Sequence, residues 1–347
     1  MKIQKIHARQ ILDSRGNPTV EAEIFAGESF SKASVPSGAS TGSKEALELR
    51  DGDTTCYAGK SVYQAVKNIK EKISPALEGR DVMDLFALDS KMLELDGSEN
   101  KSSLGANAIL AVSMASARLG AKLKGHSLYK HLREVGCPSQ SSEFILPTPL
   151  MNIINGGSHA SNNLDIQEFM IVPHMKKSFS QNLRACVEVF HTLKKILTEN
   201  SHPTTVGDEG GFAPDFDSNS EALDYILKSI ERAGYRPGED ISLSLDCAAN
   251  EFYSDGIYEF EGKRKTSEDM IEYYEKLLKN YPLYSIEDGL EESDYQGWKK
   301  LTEQIGKDVV LVGDDLFVTN ESIFKKGIKN HWANAILVKV NQIGSLS

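Results

Sequence analysis

Four charged residues stand at or near the ends of short apolar runs in the second half of the chain. Asp246 ends ISLSLD, Glu287 follows YSI, Asp314 follows VVLVG, and Lys339 interrupts AILVKVN. Because side chains alternate along a strand, each run can place its polar group away from the apolar face that covering helices need. If the runs are strands of a (β/α) barrel, their carboxyl ends form one mouth, and we expect the four groups to converge there.

Three ionised carboxylates at one place require a cation. At about 4 Å, each pair would repel by roughly 4 kcal/mol at an effective dielectric constant of about 20. The three pairs together would cost roughly 12 kcal/mol, which is comparable to the whole stability of a typical domain. Since every ligand is an oxygen, the pattern favours Mg²⁺ over zinc. The metal charge would also favour the neutral amine of Lys339, which could then act as a general base.

Each of these residues also has an ordinary structural explanation. An acidic residue at the end of a strand often marks only a polar loop, and a single lysine often lies on an edge strand or extends its amine to water. The repetition in three successive units, with a lysine after them, favours the functional interpretation.

Three loops rich in glycine or small residues add weaker signals. TTVGDEGGFAP places Glu209 in a turn between glycines, which is equally typical of a solvated turn. INGGSHASNNLDIQEFM contains His159, Gln167 and Glu168, although a single histidine is more often structural. VPSGASTGSKEALELRDGD predicts a small-residue loop and then a helix start, and such a loop lets backbone groups approach a ligand closely.

The overall composition excludes several classes of protein. The 347 residues, 40% of them hydrophobic, can bury a large core. With 39 basic and 50 acidic residues, the net charge of −11 opposes binding to nucleic acid or anionic lipid, although bound dications could invert the field locally. The four cysteines form no CxxC pair, which favours a reducing compartment, and no segment is typical of a signal peptide or membrane span. We expect a soluble cytoplasmic protein without a nucleic-acid partner.

The first part of the chain predicts a strand meander followed by helices. Residues 1 to about 35 alternate in hydrophobicity on both sides of a turn at 13–18, and an alanine-rich helix is predicted over 104–124. Residues 136–149 concentrate proline, serine and glycine, which predicts a linker. We therefore expect an N-terminal α+β domain over residues 1–135 and a catalytic domain over residues 145–347.

The second part alternates apolar runs with amphipathic helices, which is typical of βα units with parallel strands. A capping box at Ser218 and Glu221 predicts the start of one helix. Further helices are predicted near 267–280 and 294–305, each leading to one of the apolar runs.

At this point the sequence is seen to resemble the enolase family. The segments that carry the resemblance, in the family's order, are DSRGNPT, VPSGASTG, NGGSHA, QEFM, GDEGGFAP, SLDCAANEF, SIEDGL, GDDLFVTN and VKVNQIGSL. They extend from residue 13 to the end of the sequence. The resemblance implies an α/β fold, in which a small α+β N-terminal domain precedes an atypical barrel that begins ββαα before its βα units.

The resemblance also implies a metal site and an activity. Asp246, Glu287 and Asp314 match the ligands of the catalytic Mg²⁺, and Ser40 matches a residue that closes over the substrate and helps to hold a second Mg²⁺. The implied enzyme is phosphopyruvate hydratase, a carbon-oxygen lyase of glycolysis and gluconeogenesis that interconverts 2-phosphoglycerate and phosphoenolpyruvate plus water. A homodimer or a ring of dimers is implied, with secondary display at the cell surface or by secretion.

The remaining implied roles concern proton transfer. Lys339 matches the base that abstracts the C2 proton of 2-phosphoglycerate, and Glu209 matches the acid that protonates the departing C3 hydroxyl. Three further positions match residues that support the acid and contact substrate: His159, Gln167 and Glu168.

The resemblance does not include every segment that enolases use to bind substrate. Enolases continue beyond the end of this sequence through a Ser-His-Arg-Ser-Gly stretch that binds the substrate phosphate and a further lysine that holds its carboxylate. We therefore expect the barrel to be incomplete at its C-terminal side and the chain alone to be impaired.

Two other functions remain open. An acid-sugar dehydratase or racemase of the same superfamily would share the carboxylates, but such enzymes place a lysine before the ligands, whereas this chain has Glu209 before them and Lys339 after. A catalytically silent binding protein, such as an adhesin, is the alternative from another class.

Overall fold

The computed structural model describes residues 1–38, 41–137 and 143–347. Ser40 and residues 138–142 of the predicted linker lie outside the described residues. The chain divides into two compact units, each with its own buried apolar core. The first unit consists of Met1–Glu143, Val318–Asn320 and Val338–Ser347, and the second of Phe144–Phe317 and Glu321–Leu337.

The first unit begins with an antiparallel sheet in the order β1-β2-β3. Its strands are β1 (Lys5–Leu12), β2 (Pro18–Ala26) and β3 (Ser29–Ser34). Val20, Ala22 and Ile24 of β2 are fully buried, as their alternation predicts. The predicted meander is therefore confirmed.

The helices of this unit cover one another and the sheet. In chain order, those that follow the sheet are α1 (Tyr63–Asn68), a π-helical turn (Ile69–Ile73), α2 (Ser74–Leu77), α3 (Leu85–Asp96), α4 (Ala106–Lys124) and α5 (Leu128–Gly136), and a last short helix lies near the end of the sequence. The alanine-rich α4 packs against β2 and β3 and is largely buried, and its bounds confirm the helix predicted over 104–124. The helix start predicted after the small-residue loop is wrong, because residues 43–45 form only a turn.

The second unit is built on one mixed sheet in the order β12-β11-β10-β6-β5-β4. β4, β5 and β6 are antiparallel neighbours, whereas β6, β10, β11 and β12 run parallel. β12 and β4 lie at the two edges, so within the described residues the barrel sheet is not closed. The strands are β4 (Met151–Asn155), β5 (Glu168–Pro173), β6 (Ile241–Asp246), β10 (Leu283–Glu287), β11 (Val310–Gly313) and β12 (Ala335–Ile336), and a small separate sheet contains β7 (Tyr253–Ser254), β8 (Ile257–Phe260) and β9 (Lys263–Lys265).

Amphipathic helices connect the strands of the second unit. They are α6 (Phe179–Glu199), α7 (Asn219–Arg232), α8 (Ser267–Asn280), α9 (Tyr295–Ile305) and α10 (Glu321–Asn330). Two helices thus follow β4 and β5 before β6, which is the ββαα start that the resemblance implied. The helices predicted near 267–280 and 294–305 are confirmed.

The start of α7 differs from the predicted capping box in one bond. The hydroxyl of Ser218 accepts the N–H of Glu221 at 3.2 Å, as predicted. The Glu221 carboxylate, however, accepts the N–H of Asp217 at 2.7 Å. Ser218 is therefore the N-cap, while the reciprocal bond goes to the residue before it.

The prediction that Lys339 lies within a strand is wrong. Strand β12 covers only Ala335–Ile336, and Lys339 immediately precedes α11 (Val340–Ile343). The N–H of Lys339 donates to the side-chain oxygen of Thr319 at 2.9 Å, so this residue does not continue a strand ladder. In the described part of the chain, no helix is both long and apolar enough to cross a membrane.

Candidate metal and catalytic site

Three predicted metal ligands lie at the carboxyl edge of the parallel strands. Asp246 and Glu287 are the last residues of β6 and β10 and are aligned with each other in the register of the two strands. Asp314 directly follows β11. Each of the three is only 6% to 7% exposed. Parallel pairing therefore brings three acidic residues, far apart in sequence, to successive positions along one buried edge.

Hydrogen bonds orient the carboxylate of Asp246. Its Oδ1 accepts the N–H of Ala248 at 3.0 Å, and its Oδ2 accepts a bond of 3.0 Å from Nε2 of Gln167. Gln167 is buried, and its Oε1 has no hydrogen-bond partner within the described residues. A buried acceptor of this kind suits a bound donor or cation.

Asp288 is a further acidic residue of this edge that the sequence reasoning missed. Its carboxylate is buried and accepts the N–H groups of Asp314 at 3.0 Å and Asp315 at 2.7 Å. Burial raises the pKa of Asp288 well above its usual range, and the negative charges of Asp315, Asp246 and Asp314 raise it further. The doublets Glu287-Asp288 and Asp314-Asp315 were the available sequence signal.

These residues fit a hard divalent cation. Asp288, Asp314 and Asp315 can each bring one carboxylate oxygen within 4.8 Å of the others. This group shares Asp314 with the predicted ligand set and contains Asp288 and Asp315 in place of Asp246 and Glu287. The donors are all carboxylate oxygens, which Mg²⁺ prefers, and a cation would relieve the repulsion that raises the pKa of Asp288.

A second cluster joins three other predicted site residues. Nδ1 of His159 lies 3.5 Å from Oε1 of Glu168 and 3.9 Å from Oε2 of Glu209. The His159 side chain is buried, whereas the Glu209 side chain is 46% exposed. These three side chains form the other group whose ligand atoms lie within 4.8 Å of one another in the described parts of the chain. The arrangement gives Glu209 a polar neighbour and access to solvent.

The turn that carries Glu209 depends on its flanking glycines. The N–H of Gly207 donates to the carbonyl oxygen of Gly211 at 2.8 Å, which closes the turn. A Cβ atom on Gly207 would lie 2.5 Å from the carbonyl oxygen of His159. Only glycine therefore allows the backbone to approach His159 closely enough to place Glu209 beside the imidazole.

Lys339 belongs to the first unit and is half-buried. The same unit contains a cavity of about 390 Å³ beside the small-residue loop. Its lining includes Gly38, Thr41, Glu45 and Asn341. The role of Ser40, which lies outside the described residues, stays a prediction.

Comparison with known families gives two matches that together span most of the sequence. Residues 3–132 match the family model described as "Enolase, N-terminal domain". Residues 143–347 match the one described as "Enolase, C-terminal TIM barrel domain".

Proposed function

The chain belongs to the enolase family, and from that premise we propose that it is a phosphopyruvate hydratase, a Mg²⁺-dependent hydro-lyase of glycolysis and gluconeogenesis. It would interconvert 2-phosphoglycerate and phosphoenolpyruvate plus water. The observation that carries the proposal is the row of buried carboxylates at the ends of β6, β10 and β11. Enolase-superfamily sites combine such metal-binding groups with a lysine or histidine base.

The metal ligands would be Asp246, Glu287 and Asp314, with two Mg²⁺ ions per active site and Ser40 helping to hold the second. Gln167 orients Asp246 through their hydrogen bond, and Asp288 holds the backbone at Asp314. Bound Mg²⁺ would stabilise the negative charge that develops on the substrate carboxylate when the neighbouring C2 proton leaves.

Two residues of the chain would transfer the protons. Lys339, as a neutral amine, takes the proton from C2, and Glu209, as a neutral acid, gives a proton to the hydroxyl that leaves C3. The C2–H and C3–O bonds break, a double bond forms between C2 and C3, and water departs. His159 and Glu168 would support the acid and contact the substrate. This fits the position of His159 Nδ1, which lies 3.9 Å from Oε2 of Glu209 and 3.5 Å from Oε1 of Glu168.

The test is the formation of phosphoenolpyruvate from 2-phosphoglycerate, followed by its ultraviolet absorbance. We expect slow formation of product with Mg²⁺ present and none after chelation. Lys339→Met should abolish both product formation and exchange of the C2 proton with solvent, whereas Glu209→Gln should abolish product formation and spare some exchange. A folded protein that forms no product but acts on an acid sugar would overturn the proposal in favour of another superfamily activity.

The assembly and the compartment are further parts of the proposal. We propose a cytoplasmic homodimer or ring of dimers, since the family resemblance implies these states. Light scattering during size-exclusion chromatography measures the assembly directly, and a monomer at micromolar concentration would contradict it.

A further inference from the structure

The backbone around Lys339 is closed into a small hydrogen-bonded ring. The N–H of Lys339 donates to Oγ1 of Thr319 at 2.9 Å, and the Thr319 hydroxyl donates to Oε1 of Gln342 at 2.7 Å. The N–H of Gln342 returns to the carbonyl oxygen of Lys339 at 3.1 Å. Both polar groups of the Lys339 backbone are therefore bonded to residues of this ring.

The same glutamine connects the ring to the small-residue loop. Gln342 is only 1% exposed, and its Nε2 donates to Oε1 of Glu45 at 3.4 Å. The backbone carbonyl oxygen of Gln342 accepts the N–H of Ala46 at 2.8 Å. Glu45 Oε1 also accepts the N–H of Gly42 at 3.1 Å. A continuous relay of hydrogen bonds thus leads from the turn over residues 42–46 to Lys339.

The segment that follows Lys339 is fixed on helix α4. Gly344 has a positive φ of 77°, and a Cβ atom there would lie 2.8 Å from the Cβ of Ala106. The N–H of Leu346 donates to Oγ of Ser113 in the same helix at 3.0 Å. Since the far end of the segment is anchored, the ring at its near end decides the position of the Lys339 backbone.

We propose that Thr319 and Gln342 are positioning residues for the Lys339 base. Through its hydrogen bonds, Glu45 would fix the turn over residues 42–46 relative to Lys339. The proposal rests on the proposed function, in which Lys339 takes the C2 proton. A base acts only within hydrogen-bond reach of its proton, and a displacement of about 1 Å can cost about 100-fold in rate. None of these residues needs to touch the substrate for this effect.

Substitution of Thr319 tests the proposal because valine keeps the shape and removes the hydroxyl. Thr319→Val should lower kcat by about 10- to 100-fold with little change in KM, and solvent exchange of the C2 proton should fall by the same factor. Thr319→Ser retains a hydroxyl and should restore most of both rates. Gln342→Leu should resemble Thr319→Val.

A matched control is Thr302→Val. The Thr302 hydroxyl also accepts a backbone N–H, from Ala333 at 3.0 Å, and donates to a carbonyl oxygen, that of Trp298 at 2.9 Å. Its loss should lower stability to a similar extent and leave kcat unchanged. This comparison separates positioning of the base from a general loss of folded protein.

Hydrogen–deuterium exchange gives a readout that needs neither metal nor substrate. The Lys339 amide should exchange faster in Thr319→Val and Gln342→Leu than in the parent, and Thr319→Ser should restore its protection. A Thr319→Val protein with parental kcat and parental C2 exchange overturns the inference. If the unaltered protein abstracts no C2 proton, the proposed function itself fails, and the relay has no base to position.

Discussion

Two hydrogen bonds join Gln167, which immediately precedes β5, to Asp246, the last residue of β6. Nε2 of Gln167 donates to Oδ2 of Asp246 at 3.0 Å, and the Gln167 N–H donates to the carbonyl oxygen of Asp246 at 3.1 Å. The side chain of a proposed metal ligand is therefore oriented by an amide that is itself fixed through its backbone. Partners of this kind govern metal affinity because they fix the direction of the ligand oxygens.

Gln167→Leu should weaken Mg²⁺ binding by about 10- to 100-fold, since the leucine cannot donate to Asp246. Of the bonds from Gln167 Nε2 and the Ala248 N–H to its carboxylate, Asp246 would keep the one from Ala248. Titration calorimetry with MgCl₂ measures the effect. Gln304→Leu, at an exposed position of α9, is the control and should bind Mg²⁺ like the parent. Equal affinities in the two variants would contradict the role assigned to Gln167.

Asp314→Asn should remove most of the stabilisation that Mg²⁺ gives to the folded protein. A cation that binds only the folded state raises the free energy of unfolding, and a tenfold loss of affinity lowers that gain by about 1.4 kcal/mol at saturating metal. Thermal unfolding with and without MgCl₂ measures it. Asp308→Asn is the matched control for Asp314→Asn, because Asp308 is exposed and lies shortly before the first residue of β11, at the end of the strand opposite Asp314. An unchanged Mg²⁺-induced shift in Asp314→Asn would exclude Asp314 as a ligand.

The features predicted best from the sequence are those set by local pattern. Alternation along β2 and the apolar runs before Asp246 and Glu287 predicted strands, because successive side chains of a strand point to opposite faces of the sheet. Lys339 was misplaced because a side chain 20 residues earlier, that of Thr319, takes its N–H. Asp288 was missed because its buried carboxylate is bonded to the backbone N–H groups of Asp314 and Asp315, which lie 26 and 27 residues later in the chain.

Asp89 should make stability depend on pH. Its carboxyl group is buried in α3, accepts the Ser113 hydroxyl at 2.9 Å, and has a raised pKa because burial disfavours its charge. The unfolded chain releases this proton near pH 3.9, whereas the folded protein keeps it to higher pH. The folded state then binds more protons, so the free energy of unfolding falls as pH rises from about 4 to the folded-state pKa.

Asp89→Asn removes the titrating proton while keeping an oxygen that can accept a hydrogen bond from Ser113. The variant should therefore gain stability relative to the parent as pH rises above about 4, by about 1.4 kcal/mol for each unit by which the pKa is raised. Urea unfolding at several pH values measures the difference. A difference between Asp89→Asn and the parent that stays constant with pH would refute the prediction.

Gly207→Ala should lower the formation of phosphoenolpyruvate by more than its loss of stability alone would explain. The added Cβ would lie 2.5 Å from the carbonyl oxygen of His159, so the turn must move away from the imidazole. Relief of such an overlap typically costs about 1–3 kcal/mol. Because the displacement carries Glu209 away from His159, we expect formation of phosphoenolpyruvate to fall at least about tenfold, as for other small misplacements of catalytic groups.

Gly234→Ala separates that displacement from a general loss of stability. Gly234 has a positive φ of 89°, and no atom lies within 4 Å of a Cβ built there, so alanine adds backbone strain of about 1–2 kcal/mol without a clash. The two variants should therefore show comparable urea midpoints, while only Gly207→Ala loses kcat. If kcat falls equally in both variants, the loss reflects stability alone. The close approach of Gly207 to His159 would then have no role in catalysis.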